Sequence, residues 1–347
     1  MKQSTAVVVS DLNHVSIQHM IDRSACDVKD LRIALDGCYP SFWDTDLVMR
    51  TVRSFCSPQK VPLLSQCDLL IRGPFHNGNK KRRVRNKLLR AMDFINPMYK
   101  SPLTLHVSSE NHTLINYQSF HSSNCLYGIG HEIIKDKNYL RIPHWLNYVD
   151  FANNGIFGPS HWPRLGRPIQ KAEVSSPIYW NRTAKPSAVF IVSNMTNERQ
   201  ALADSLSKVL PIDGFGKYYN PTISSHSSSG FLKRNLLKNY QYCFCPENSL
   251  APGYYTEKIP ESFVCGAIPI TYCDSSFVHI DFSTDAFINL NKFIKNNLLE
   301  VDDLCSYLAD SEVHERLIST PLAAFNLDSK IDQLRSFISL IISQALD

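Results

Sequence analysis

Between Leu31 and Tyr272 the chain alternates short apolar runs with longer stretches of helical periodicity. That alternation restricts it more than any other feature, because strands that take turns with helices over such a length build parallel α/β sheets. The spacing predicts strands at Leu31–Leu35, Cys67–Ile71, Leu103–Val107, Ala188–Val192, Tyr240–Cys245 and Ala267–Tyr272. It predicts helices at Thr45–Phe55, Lys80–Phe94, Asn197–Val209, Glu257–Cys265, Val301–Ala309 and Lys330–Leu346. The pattern breaks once, over Phe151–Pro186, a stretch rich in Gly, Pro, Asn and Trp. Such a break reads as the connection between two α/β domains. The expected layout is an N-terminal domain over 1–160, with 1–30 an extension of no clear role. A connection follows over 161–185, then a C-terminal domain over 186–325 and a closing amphipathic helix over 326–347.

The 347 residues are 44% hydrophobic and 20% charged, enough apolar material for two cores and too little charge for a disordered chain. A net charge of +4 excludes a polybasic nucleic-acid binder as a description of the whole chain. The only apolar run near the start is Ala6–Val9, shorter than a secretory core. No stretch reaches the roughly 20 apolar residues of a spanning helix. Ten cysteines without a CxxC pair read as reduced thiols, with Cys243 and Cys245 on one face of a strand. These features predict a cytosolic, reducing location.

Two segments invite a reading as membrane contacts. Asn79–Arg90 carries seven cations, Lys80, Lys81, Arg82, Arg83, Arg85, Lys87 and Arg90. A solvated helix face accounts for them, and so does an anionic membrane surface. Nucleic acid is disfavoured because no aromatic residues interleave with the charges. In the last segment Ile331, Leu334, Ile338, Ile341 and Ala345 recur at helical steps. That face either closes the fold or lies on a membrane, and only Lys330 and Arg335 supply cations for the second use.

Three polar patches follow predicted strands. Ser193–Arg199 leads from a strand into a helix, the place where α/β sheets bind ligands, and the Arg199 guanidinium there can fork onto a diphosphate. Cys245–Lys258 repeats the arrangement with Glu247, Asn248, Tyr254, Glu257 and Lys258. Thr256 is the expected N-cap, and Lys258 beside a helix start attracts phosphate oxygens. Val107–Thr113 places Glu110 at a strand end, where a carboxylate serves as a base only if a second domain brings an electrophile to it. The one DxD, Asp44-Thr45-Asp46, lies in the first half and reads as a helix cap, so no metal site is expected.

The block Glu247-Asn248-Ser249 followed by Gly253-Tyr254-Tyr255-Thr256-Glu257-Lys258 resembles the E-N-S…Y-x-T-E-K signature of the α1,3-fucosyltransferases, glycosyltransferase family 10. Ser193–Arg199, Gly214–Lys217, Tyr139-Leu140-Arg141-Ile142-Pro143 and the S-E-N-H-T stretch around Glu110 are similar to further family segments, in the family's order. Pro246, Tyr255 and Pro260 depart from the usual pattern. The resemblance implies a GT-B fold of two Rossmann-like domains facing across a cleft, with GDP-fucose as donor and inversion at the anomeric carbon. It implies that Arg199 and Lys258 hold the diphosphate, and that Ser193, Asn194, Glu247, Asn248, Tyr254 and Glu257 line the donor site. Glu110 is implied as general base. The expected acceptor is an N-acetyllactosamine-type glycan or glycolipid, and no divalent metal is needed for chemistry. The form resembles bacterial members, which lack the N-terminal anchor of animal and plant enzymes and work on surface glycolipids from the cytosolic side, with peripheral contact to an anionic membrane. Two rivals remain: a GT-B transferase using another nucleotide sugar, and a non-enzymatic membrane- or nucleic-acid-binding protein built on Lys80–Arg90.

Overall fold

The computed structural model describes residues 30–62, 66–75, 101–108, 110, 117–159, 162, 165–180, 183–219 and 230–347. The basic run, the predicted helix Lys80–Phe94 and the N-terminal extension lie outside the described residues, apart from Asp30.

Two parallel sheets carry the molecule. The first contains β1 (Arg32–Asp36), β2 (Gln59–Lys60), β3 (Leu69–Arg72), β4 (Leu103–Ser108), β5 (Tyr127–Gly130) and β6 (Tyr139–Arg141), in the order β2-β1-β3-β4-β5-β6. The second contains β7 (Lys185–Ile191), β8 (Ile212–Phe215), β9 (Tyr240–Phe244), β10 (Ile268–Thr271) and β11 (Ile288–Asn289), in the order β11-β10-β9-β7-β8. Every neighbouring pair in both sheets is parallel. This is the paired Rossmann-like architecture of the GT-B fold. In each sheet the strand order reverses once, between β1 and β3 and between β7 and β9, and ligands bind beyond the carboxyl ends of strands at such reversals.

Among the described residues, the helices of seven residues or more are α1 (Leu47–Arg53), α2 (Asn197–Leu206), α3 (Gly230–Leu237), α4 (Lys258–Val264), α5 (Val301–Ala309), α6 (Ser311–Ser319) and α7 (Leu327–Leu346). The expected helix Thr45–Phe55 is shorter because Asp46 stands outside it in extended backbone, its carboxylate accepting from the Val48 amide at 2.9 Å. Asp46 is thus the N-cap that the DxD reading anticipates, and the Tyr39 hydroxyl donates to its other oxygen at 2.7 Å.

One continuous apolar core runs through both sheets. Trp145, just past β6, packs on Phe282 and Phe325 of the second half at ring distances of 5.3 and 5.9 Å. The connecting stretch is no loose linker: Phe151, Ile156, Leu165, Ile169 and Val174 are buried in it. α7 then returns to the first half. Its face of Ile331, Leu334, Ile338, Ile341 and Ala345 is buried, Arg335 donates to the Asn154 carbonyl at 2.6 Å, and Tyr127 of β5 donates to Gln344 at 2.8 Å. The helix therefore closes the fold, and its apolar side is not available to a membrane. Among the described residues no helix is long and apolar enough to cross a membrane.

Candidate functional site

At the β7/β9 reversal two loops leave the sheet side by side. After β7 the chain turns through Ser193–Thr196, whose last residue caps α2 by accepting from the Arg199 amide at 3.2 Å. That cap fixes Arg199 on the first turn, pointing inward. Its guanidinium donates to the Asn194 carbonyl at 2.9 Å, to the Pro246 carbonyl at 3.3 Å and to the Asn248 side-chain oxygen. After β9 the second loop runs from Cys245 to Glu257 and enters α4 at Lys258. The Lys258 ammonium donates to the same Asn248 oxygen at 3.1 Å and to Glu247 at 2.9 Å. Two cations from different loops therefore converge on one amide oxygen.

Glu247 is the inner post of this arrangement. It is buried, and its carboxylate accepts from the Thr256 amide at 2.7 Å, from the Thr256 hydroxyl at 3.0 Å and from Lys258. Thr256 is consequently not the N-cap that the sequence suggested. Its side chain is spent on Glu247, and Glu257 holds the cap position without a side-chain cap bond. α4 has seven residues and Pro260 in its first turn, so its dipole adds little, and the charge at the site comes from side chains.

Burial pushes the Lys258 ammonium below the ordinary lysine range and Arg199 adds to the shift, while Glu247 opposes it. Burial likewise lowers Arg199 against the pull of Glu247. Two cations held partly out of water, with one carboxylate between them, favour a polyanion at the same place. Tyr254 and Glu257 are buried, Ser193 is partly exposed and Asn194 is exposed on the rim. Gly216, at the end of β8, has φ +94°, and a β-carbon there would press on Val192, so β8 meets the same loop edge at a glycine.

The first sheet meets this loop at its own carboxyl edge. Glu110 follows β4 by two residues, is partly buried, and interacts with Tyr117. Tyr117 shares a hydrogen bond of 2.8 Å with Ser108 and is also bonded to Glu132. One residue before Glu132, the ring of His131 stands edge-on to that of Tyr254 at 5.3 Å. Glu110 thus belongs to the edge that faces the second-half loop. Sequence reasoning assigned no role to His131, Glu132 or Arg141, although Arg141 sits inside the quoted Tyr139–Pro143 segment.

A cavity of about 560 Å³ lies at the opposite, amino edge of the first sheet, lined by Arg32, Asp68, Thr104 and Gln344 among others. It shares no residue with the strand-reversal loops. Among the described residues no group of three or more His, Cys, Asp and Glu gathers as metal ligands. The nine described cysteines are free.

Residues 181–315 match the family model of the glycosyltransferase family 10 (fucosyltransferase) C-terminal region. A stretch of 122 residues is 34% identical to the Helicobacter pylori alpha-(1,3)-fucosyltransferase FucT, covering 35% of this chain and 24% of that protein. The chain thus matches about a quarter of the length of that relative. A crystal structure of an alpha1,3-fucosyltransferase superposes with a TM-score of 0.63 at 19% identity, over 92% of this chain and 94% of the other. A crystal structure of an alpha1,3-fucosyltransferase with GDP-fucose gives 0.59 at 19% identity over the same shares. Residues 181–315 are therefore similar to the C-terminal region of glycosyltransferase family 10, and the chain has the fold of the solved α1,3-fucosyltransferases.

Proposed function

We propose that the protein is an inverting α1,3-fucosyltransferase that moves fucose from GDP-fucose to the 3-hydroxyl of GlcNAc in an N-acetyllactosamine-type glycan. The observation that carries this reading is the convergence of Arg199 and Lys258 on Asn248 at the β7/β9 reversal, inside the segment that matches the family. In the reaction the acceptor oxygen attacks the anomeric carbon as Glu110 takes its proton. The bond from that carbon to the β-phosphate oxygen breaks, and GDP leaves with the bonding electrons. General-base help of this kind is worth about 10²–10⁴-fold. The charge that grows on the diphosphate meets Arg199 and Lys258, and preorganised electrostatics of that sort is usually the largest contribution. Asn248, Tyr254 and Glu257 contact the donor sugar and ribose, with Ser193 and Asn194 on the rim. Glu247 acts by holding Lys258.

With two cations on the leaving group, the chemistry needs no divalent metal. The setting proposed is the cytosolic face of a membrane, touched by the basic run Lys80–Arg90, with a glycolipid as acceptor. The test is transfer from labelled GDP-fucose to lactose, N-acetyllactosamine and its β1,3-galactosyl isomer, with and without EDTA, and linkage determined by NMR. An α1,3-linked product insensitive to EDTA is expected. Turnover of GDP-mannose or a UDP-sugar in place of GDP-fucose would reassign the donor, and activity lost in EDTA and restored by Mn²⁺ would end the metal-free mechanism.

A further inference from the structure

Arg141 ends β6, the last strand of the first sheet, yet its guanidinium serves three other segments. Its Nε donates to the His131 carbonyl at 3.0 Å. Its two terminal nitrogens reach the two oxygens of Asp281 at 2.6 and 2.9 Å, in the four-residue helix Val278–Asp281 of the second half. One of them also donates to the Gly253 carbonyl at 3.4 Å. The Asp281 side chain is fully enclosed and that of Arg141 is 15% exposed, so water and salt do not weaken the pair as they do at a surface. Burying two charges is costly, and apolar residues can stabilise such a place equally well. What a forked guanidinium–carboxylate contact supplies is a fixed geometry.

The segment it fixes is the loop that carries Tyr254, Glu257 and Lys258. Gly253 is in the left-handed region at φ +79°, and a β-carbon there would collide with the His131 carbonyl oxygen. That carbonyl is the one Arg141 holds. The next residue, Glu132, bonds Tyr117 at the base-bearing edge. Two consecutive residues thus touch the second-half loop on one side and the surroundings of Glu110 on the other, and Arg141 pins the first of them to that loop.

We propose that Arg141, with Asp281 and Gly253, is a positioning device that sets the 245–257 loop in register against the Glu110 edge. Transfer to an acceptor hydroxyl depends on it, whereas GDP binding, led by the Arg199 and Lys258 grip within the second half, changes little. This rests on the function proposed above. The phosphate grip is built entirely from the second half and survives without the pin. Alignment of sugar, base and acceptor oxygen does not survive, and a misplacement of about 1 Å can cost about 10²-fold. Water approaches from many directions and tolerates the misalignment better than a glycan hydroxyl.

The test uses D281N, R141K and G253A in the full chain. For each, GDP affinity, transfer kcat, donor hydrolysis and amide hydrogen exchange over 251–257 in the ligand-free protein are measured. D281N is expected to keep GDP affinity within about twofold, to lose about tenfold or more in transfer kcat, and to raise the ratio of hydrolysis to transfer. Exchange over 251–257 should quicken, and R141K should fall between D281N and the parent. Hydrolysis and transfer falling in equal proportion, GDP affinity falling with them, or unchanged exchange would each overturn the pin. Should D281N fail to fold, G253A leaves the ion pair in place and carries the same readouts. The exchange measurement needs no sugar. A parent without fucosyl transfer but with faster exchange in the variants would defeat the proposed function and leave the loop pin standing.

Discussion

Lys258 has to remain charged in a place that disfavours its charge. Burial lowers its pKa first and Arg199 second, so the ammonium is lost at a lower pH than the ordinary lysine value of about 10.4. Under the proposed function, losing the proton removes one of the two cations that meet the diphosphate. GDP affinity is therefore expected to fall as pH rises from neutral into the alkaline range, before a free lysine titrates. K258R, which stays charged, should flatten the fall, and calorimetric titration at several pH values reads both. The stability of the ligand-free protein has the opposite sign. The unfolded chain binds the proton more tightly in that window, so this group's contribution to stability rises with pH through it. E110Q is expected to lose transfer by 10²-fold or more while GDP binds as in the parent, and a fully active E110Q would remove Glu110 as base. That Glu247, Asn248 and Lys258 gather was legible in the sequence because one short segment carries all three. The contact of Arg141 was not, because its partner Asp281 is 140 positions away and no periodicity links them. The real duty of Thr256 was hidden for a similar reason, since its bond to Glu247 spans a loop that only folding closes.

At the scale of elements, the strands legible in the sequence were those rich in apolar residues, consecutive as in β3 or alternating as in β4, namely β1, β3, β4, β7, β9 and β10. Those missed are short or glycine-bearing, such as Tyr127–Gly130 and Ile212–Phe215, and local propensity speaks against them. They are strands because a long neighbour offers them a ladder, β4 for the first and β7 for the second. Helix ends obeyed local chemistry at Asp46 and Thr196 and escaped it at Thr256. The cap at Asp46 has a direct test. D46A removes the Val48 bond and the acceptor of the Tyr39 hydroxyl, and is expected to cost about 1–2 kcal/mol in denaturant unfolding with transfer intact. A D46A protein of parental stability that no longer transferred sugar would restore the DxD to catalysis.

The whole molecule is held by contacts that ignore chain order. Trp145 against Phe282, Arg141 against Asp281, and α7 laid back on the first half join segments far apart in sequence. The two-sheet plan was readable from alternation alone, whereas the way the halves lock was not, because each contact pairs residues whose own surroundings give no hint of the other. I338A should destabilise the fold by about 2–5 kcal/mol, since the side chain is fully enclosed. It should leave flotation with anionic liposomes unchanged, because that face of α7 is spent on the core. Flotation should instead fall when the cations of Lys80–Arg90 are neutralised, and absence of binding in the parent would end the membrane proposal.

The late return of α7 also bears on biosynthesis. A ribosome makes β1 to β6 early, but the helix that shelters one side of α1 and β5 emerges only after the second sheet is complete. Until then the nascent first half leaves open to solvent the apolar surface that α7 will cover.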